Sequence, residues 1–286
     1  MSNPETRYLK TCPVGCNTPL ETTAYLLPEG ALLRCNACGQ LLSQCTEAHY
    51  WQSMQEFDDP QGTLPQAGSE RSQLRRSKKF LDQISSLLGQ PPGQIRLLDV
   101  GCSSGAFLHA AVKLGYQAQG VEPAPQAAAT AQAAGLNVRQ GLLQEAGYAD
   151  GEFDAVTLLE VIEHLQQPIE LLQECRRLLR PGGILLIGTG NAASWSMAAM
   201  GARWEYLDIA KHGGHVSFFS PDSIATLAQR SGFSVAAVRT RGVRFCEKGD
   251  CSKPVYRIAK IAGELLNVFA AWLDKGHDMA VYLRRD

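Results

Sequence analysis

The stretch IRLLDVGCSSG, from Ile95 to Gly105, joins an apolar run to an amphipathic one, AFLHAAVK, from Ala106 to Lys113. It reads as a strand that ends in glycines and opens a helix. Such a turn offers unpaired backbone amides to a ligand, and glycine lets the ligand approach the main chain. A dinucleotide-binding turn would carry glycine at 101, 103 and 106. Ser103 and Ala106 stand there instead, which argues against a pyrophosphate ligand. The next apolar run, QAQGVE, ends at Glu122, from which a carboxylate can accept both hydroxyls of a ribose. Working outward, APQAAATAQAAG reads as a helix, LNVRQG as a strand, and FDAVTLLEVIEHL as a strand running into a turn. PIELLQECRRLLRPGG then reads as a helix before the strand ILLIGTGN. SPDSIATLAQRSGF is a helix capped by Ser220, started by Pro221 and stopped by Gly232, and FSVAAVRTRG and DMAVYLRR are the last strands. Alternation of this kind predicts an α/β fold whose mainly parallel sheet is covered by helices on both faces, with ligands at the carboxyl ends of the strands.

The chain has 286 residues, 45% of them hydrophobic, and a net charge of −1. That composition excludes extensive disorder, and the charge balance gives no overall attraction to nucleic acid. The N-terminus MSNPETRYLKT lacks the apolar core of a signal peptide, and no apolar run is long enough to span a membrane, so a cytoplasmic location is expected. Nine cysteines in such a chain point away from disulfides. Cys12 and Cys16 are followed, after 18 intervening residues, by Cys35 and Cys38, the ribbon spacing for one structural zinc ion. Residues 1–45 are therefore expected to form a zinc-ribbon-like module with two short strands around Pro28-Glu29-Gly30. Residues 46–70, with Asp58-Asp59-Pro60, Gly62, Pro65 and Gly68, are expected to be a linker, and 71–286 the main domain. The helix expected from residue 70 carries Arg71, Arg75, Arg76, Lys78 and Lys79 on its polar face, read as a solvated surface.

LLDVGCSSGAFL, VEP, FDAVTLLEVIEHL and LLRPGGILLIGTGN resemble, in order and spacing, the motifs of class I S-adenosylmethionine-dependent methyltransferases. HVSFFSPDSIATLAQRSGF is similar to the branch containing ubiquinone-biosynthesis O-methyltransferases, which includes members with an N-terminal cysteine knuckle ending as CNACG does here. The resemblance implies a Rossmann-like sheet of seven strands, the last antiparallel, that binds S-adenosylmethionine. Carried over by position, Asp99, Gly101, Cys102, Ser103 and Gly105 would surround the donor's methionine portion, and Glu122 with Pro123 its ribose. Two departures stand out: Ser103 replaces the middle glycine, and Leu142 replaces an acidic adenine-binding residue, leaving adenine to backbone groups near Leu142 and Leu143. Leu159 and Glu160 would line the boundary between donor and acceptor.

A sulfonium methyl is already activated, so the protein must position it, exclude water and take the acceptor's proton. His164 is the first candidate base and His215 the second, with Glu160 beside them. The spacing E-x-x-E-H also resembles the metal site of small-RNA terminal 2′-O-methyltransferases, so Glu160, Glu163, His164 and His215 form a candidate site for magnesium or manganese. The expected function is O-methylation of a small molecule such as a sugar, lipid, quinol or natural-product intermediate. RNA methylation through the ribbon, and donor binding without catalysis, are the alternatives. Residues 192–219 and 241–276 are expected to be acceptor-side insertions. Within the second, residues 254–275 carry an apolar helical stripe, read as a lid or homodimer helix, with an interfacial membrane helix as the alternative.

Overall fold

The computed structural model describes residues 6–57, 70–247 and 249–286. The main sheet uses β4 (Arg96–Val100), β5 (Gln117–Glu122), β6 (Val138–Gln140), β7 (Phe153–Leu159), β8 (Leu179–Gly190), β10 (Phe233–Arg241) and β11 (Asp278–Arg285). Their spatial order is β10-β11-β8-β7-β4-β5-β6. β4, β5, β6, β7 and β8 pair in parallel, whereas β11 lies antiparallel to both β8 and β10. The central strands are apolar along their length because helices cover both faces. On one face α2 (Glu70–Leu88) buries Leu81 and Ile84 against Leu97 and Leu186. On the other, α5 (Pro168–Leu178) and α8 (Pro221–Arg230) bury Leu172, Leu178, Ile224 and Leu227 against Val156 and Leu185. The α8 cap follows its sequence: the Ser220 hydroxyl accepts from the Ser223 amide and Pro221 opens the helix.

The N-terminal cysteines lie around a second sheet. β1 (Leu20–Leu27) and β2 (Gly30–Cys35) form the expected hairpin, and β3 (Leu41–Leu42) pairs with β2. β3 also pairs with β9 (Ser217–Phe218), a strand of the main domain, so this four-stranded sheet is built from both ends of the chain. Val14, Cys16 and Cys35 share one hydrophobic cluster with Phe219 and Leu227, and the Arg230 guanidinium of α8 donates to the Val14 carbonyl at 2.6 Å. Apolar burial and main-chain pairing therefore join the ribbon to the main domain.

The segment expected to be a linker contains a helix. Glu47–Phe57 forms α1, which packs Tyr50 beside Val216 and Ile209, and residues 58–69 lie outside the described residues. The segment 192–219 folds as α6 (Trp195–Met200), α7 (Ile209–His212) and β9, joined by 3-10 turns. Trp204, Phe218 and Phe219 in this segment are buried core side chains. The segment 241–276 holds the 20-residue α9 (Lys253–Trp272). Among the described residues, no helix is long and apolar enough to cross a membrane.

Candidate active site

The turn after β4 is shaped by left-handed backbone at Gly101 (φ 70°), Ser103 (φ 49°) and Gly105 (φ 84°). A Cβ at Gly101 would sit 2.7 Å from a Val161 methyl, so both conformation and space require glycine there. Ser103 takes the same left-handed form with a side chain, and Glu122 holds it: one carboxylate oxygen accepts from the Ser103 amide at 2.7 Å and the other from the Ala124 amide at 2.8 Å. Glu122 thus braces the loop as well as facing it. The Asp99 side chain is fully buried and accepts from the Thr157 hydroxyl at 2.6 Å; burial raises its pKa to about 7. Cys102 turns its thiol into a cluster with Leu108, Ala128 and Ala131, so only its main chain belongs to the loop. Leu142 is exposed and Leu143 buried beneath it, while Pro123 lies on the surface.

Beyond this loop a cleft of about 530 Å³ runs from Ala106 and Phe107, past Leu159 and Glu160, to Thr189, Tyr206 and Arg244. Glu160 sits just past the end of β7 with a left-handed backbone (φ 55°), a conformation disfavoured for a side-chain-bearing residue. The bend, followed by the 3-10 turn Ile162–His164, brings Glu160 and Glu163 together with His215. Ligand atoms of these three lie within 4.8 Å of one another. Glu163 Oε1 accepts from the Thr189 hydroxyl at 2.7 Å and lies 3.8 Å from His215 Nε2, while Glu163 Oε2 is buried with no partner. The Tyr206 hydroxyl donates to Glu160 at 3.3 Å, and His215 Nδ1 faces the Tyr206 carbonyl at 3.2 Å.

Of the four candidate ligands Glu160, Glu163, His164 and His215, the group that converges leaves out His164. His164 stacks edge-on against His215, ring centres 4.7 Å apart, with Nδ1 buried and unpartnered, and it does not line the cleft. Glu160 opens onto the cleft, yet its carboxylate is hemmed in. Burial, then repulsion from Glu163, pushes its pKa well above the usual carboxylate range. Burial, then the neighbouring His164 and His212, pushes His215 well below the usual imidazole range, leaving it neutral at pH 7. Two crowded carboxylates and a neutral imidazole call for a proton or a cation between them.

The N-terminal sheet forms the back of this cluster. The Ser43 amide donates to Val216, whose own amide donates to the Glu163 carbonyl at 3.0 Å. The Tyr50 hydroxyl of α1 donates to the His164 carbonyl at 3.0 Å, and the Gln166 side chain to the Tyr8 carbonyl at 2.9 Å. Thr189, Arg244 and the buried His277, which lies 3.3 Å from Glu205, were not singled out in the sequence. Glu205 also pairs with Lys211 and Arg244, forming the cleft's charged wall.

In the ribbon, the sulfurs of Cys12, Cys16, Cys35 and Cys38 lie within 4.8 Å of one another, with Cys12 and Cys38 at 3.6 Å. Burial pushes the Cys12 thiol up to about 11. At Cys35 the opposing burial is outweighed by the Thr18 hydroxyl and the Cys38 and Ala37 amides, which bring it down to about 6.

A parallel sheet in this strand order, closed by an antiparallel β11, with a buried carboxylate at the end of β5, defines the class I methyltransferase architecture. A family model described as a methyltransferase domain matches residues 71–238, and the chain belongs to that family of S-adenosylmethionine-dependent methyltransferases. Relatives named ubiquinone biosynthesis O-methyltransferase include one from Cereibacter sphaeroides, 36% identical over 48% of this chain and 60% of its own length. Another, from Xanthomonas campestris pv. campestris, is 31% identical over 51% of this chain and 64% of its own length. The chain thus spans less than two thirds of these relatives. The fold is similar to that of a SAM-dependent methyltransferase from Archaeoglobus fulgidus, with a TM-score of 0.54 and 20% identity over 76% of this chain and 95% of that one. It is also similar to one from Mesorhizobium loti, at 0.51 and 17% over 71% and 96%.

Proposed function

We propose that the chain transfers the methyl group of S-adenosylmethionine to an oxygen of a small molecule bearing two neighbouring hydroxyls, such as a catechol or a diol. The observation that carries this reading is the convergence of Glu160, Glu163 and His215 beside the cleft, where a donor held at Gly101–Gly105 and Glu122 would present its methyl group. Glu122 holds the ribose and the loop amides face the methionine end. Leu159 and Phe107 exclude water from the transfer path. Glu160 lines the cleft, on the side where the acceptor's hydroxyls would lie. His164, behind His215, positions that ring.

The residues fit a divalent cation: two carboxylates and a neutral imidazole converge, and Glu163 Oε2 is a buried oxygen without a partner. Glu160, Glu163 and His215 would hold magnesium or manganese, which supplies acidification of an acceptor hydroxyl. The four ribbon cysteines fit zinc, since sulfurs around a tetrahedral ion at ~2.3 Å stand ~3.8 Å apart. There the ion would be structural.

The test uses labelled donor, a catechol probe such as 3,4-dihydroxybenzoate, and separate RNA and metabolite extracts. Label should enter the catechol or the metabolites, be lost on chelation, and return with magnesium or manganese but not zinc. Glu163→Gln should abolish it under all conditions. Label in RNA alone would overturn the small-molecule reading. Undiminished transfer in chelated Glu163→Gln protein would overturn the cation site.

A further inference from the structure

We propose that the outer face of α9 is a contact between two copies of this chain, packed helix against helix across a twofold axis. This surface lies apart from the donor and cation sites, so the inference does not depend on their reading. The inner side of α9 is anchored: Gly263 and Ala270 are buried, Asn267 Oδ1 accepts from the Gly242 amide at 2.7 Å, and the Thr240 hydroxyl donates to the Ala270 carbonyl at 3.3 Å. The outer side carries Ile258, Ile261, Leu265, Val268 and Trp272, each between 59 and 81% exposed. Their spacing alternates three and four residues, the pattern that keeps an apolar seam facing a second helix. Val255, Leu266, Phe269 and Leu273 widen the seam on one border. The other border is polar, with Arg257 and the Lys260–Glu264 pair, 3.9 Å apart.

With ~150–250 Å² for a full aromatic side chain and less for an aliphatic one, these nine residues expose on the order of 1,000 Å². The largest apolar patch on a typical monomer is roughly 300–600 Å², and a standard interface buries about 800 Å² per partner. One face of each copy therefore supplies the area of a stable dimer. A twofold arrangement needs no second surface, because the same patch serves both sides. α9 also holds Gly242, so its partner would buttress the wall carrying Arg241 and Arg244.

Analytical ultracentrifugation of the full chain at micromolar concentration should give twice the chain mass. Leu265→Glu and Val268→Glu, tested separately, should each weaken association by roughly 100-fold or more, because each buries an unpaired charge. Hydrogen exchange on the wild-type chain needs no variant: amides of residues 255–273 should be more protected in concentrated than in dilute protein. A wild-type chain that stays monomeric, glutamate variants that remain dimeric, or exchange independent of concentration would each overturn the proposal. So would a monomer whose α9 is protected only by vesicles of phosphatidylcholine and phosphatidylglycerol.

Discussion

Glu122→Gln separates the two duties assigned to this carboxylate. In the native chain each oxygen accepts from one amide, Ser103 at 2.7 Å and Ala124 at 2.8 Å. Glutamine keeps the size and one acceptor but turns an NH₂ group towards the other amide. One charge-assisted bond is lost and two donors then face each other, a change of about 1.5–3 kcal/mol. If the carboxylate also holds the ribose, donor affinity should fall by roughly 10- to 150-fold. At about 2–4 °C per kcal/mol for a domain of this size, the donor-free midpoint should fall by roughly 3–12 °C. Titration calorimetry with S-adenosylhomocysteine reads the first quantity, and scanning calorimetry without ligand reads the second. A lower midpoint with unchanged affinity would reduce Glu122 to a brace. Affinity within two-fold of wild type together with an unchanged midpoint would refute both duties.

Burial raises the Asp99 carboxyl from 3.8 to about 7. The folded chain holds this proton more tightly than the unfolded chain, so the contribution is complete below the unfolded value and is lost as pH rises through about 7. Asp99→Asn should remove that decline, seen as a midpoint difference from wild type that changes between about pH 4 and 8; a constant difference would count against it. In the ribbon, metal analysis should find about one zinc per chain. Cys35→Ser combined with Cys38→Ser should release the ion and slow catechol turnover, because Ser43 and Val216 link the ribbon to Glu163. Loss of zinc with turnover intact would show that this linkage does not matter.

The main sheet was legible because its strands are apolar runs punctuated by Gly, Pro and Ser: Ser220, Pro221 and Gly232 delimit α8 as read. The turn after β4 and the ribbon hairpin were legible for a similar reason, since short-range spacing determines them. α1 was missed because EAHYWQSMQEF has only a few apolar residues, whose burial comes from distant Val216 and Ile209. β3 and β9 have two residues each and carry no periodicity of their own; they are strands because of distant pairing, Leu41 and Leu42 with β2 and with Phe218 and Ser217. The E-x-x-E-H spacing singled out Glu160, Glu163 and His164, of which the first two converge with His215. A helical reading cannot foresee the left-handed bend at Glu160 that gathers 160 and 163 and leaves 164 behind. Thr189 and Arg244 come from separate strands and loops, beyond any local pattern.

The pairing of β3 with β9 also sets an order of assembly. The ribbon hairpin is made of local contacts and can close as soon as its cysteines have left the ribosome, since short loops close at small entropic cost. Its outer strand β3 then waits, with unpaired main-chain groups, until residues 217–218 have been synthesised. Non-local pairing of this kind is slow, and an unpaired edge is a site of wrong association. Only two residues of β3 are exposed in that interval, and this brevity limits the risk. The segment that supplies β9 also carries Val216, whose amide donates to the Glu163 carbonyl, so the second sheet and the cluster of Glu160, Glu163 and His215 share one support.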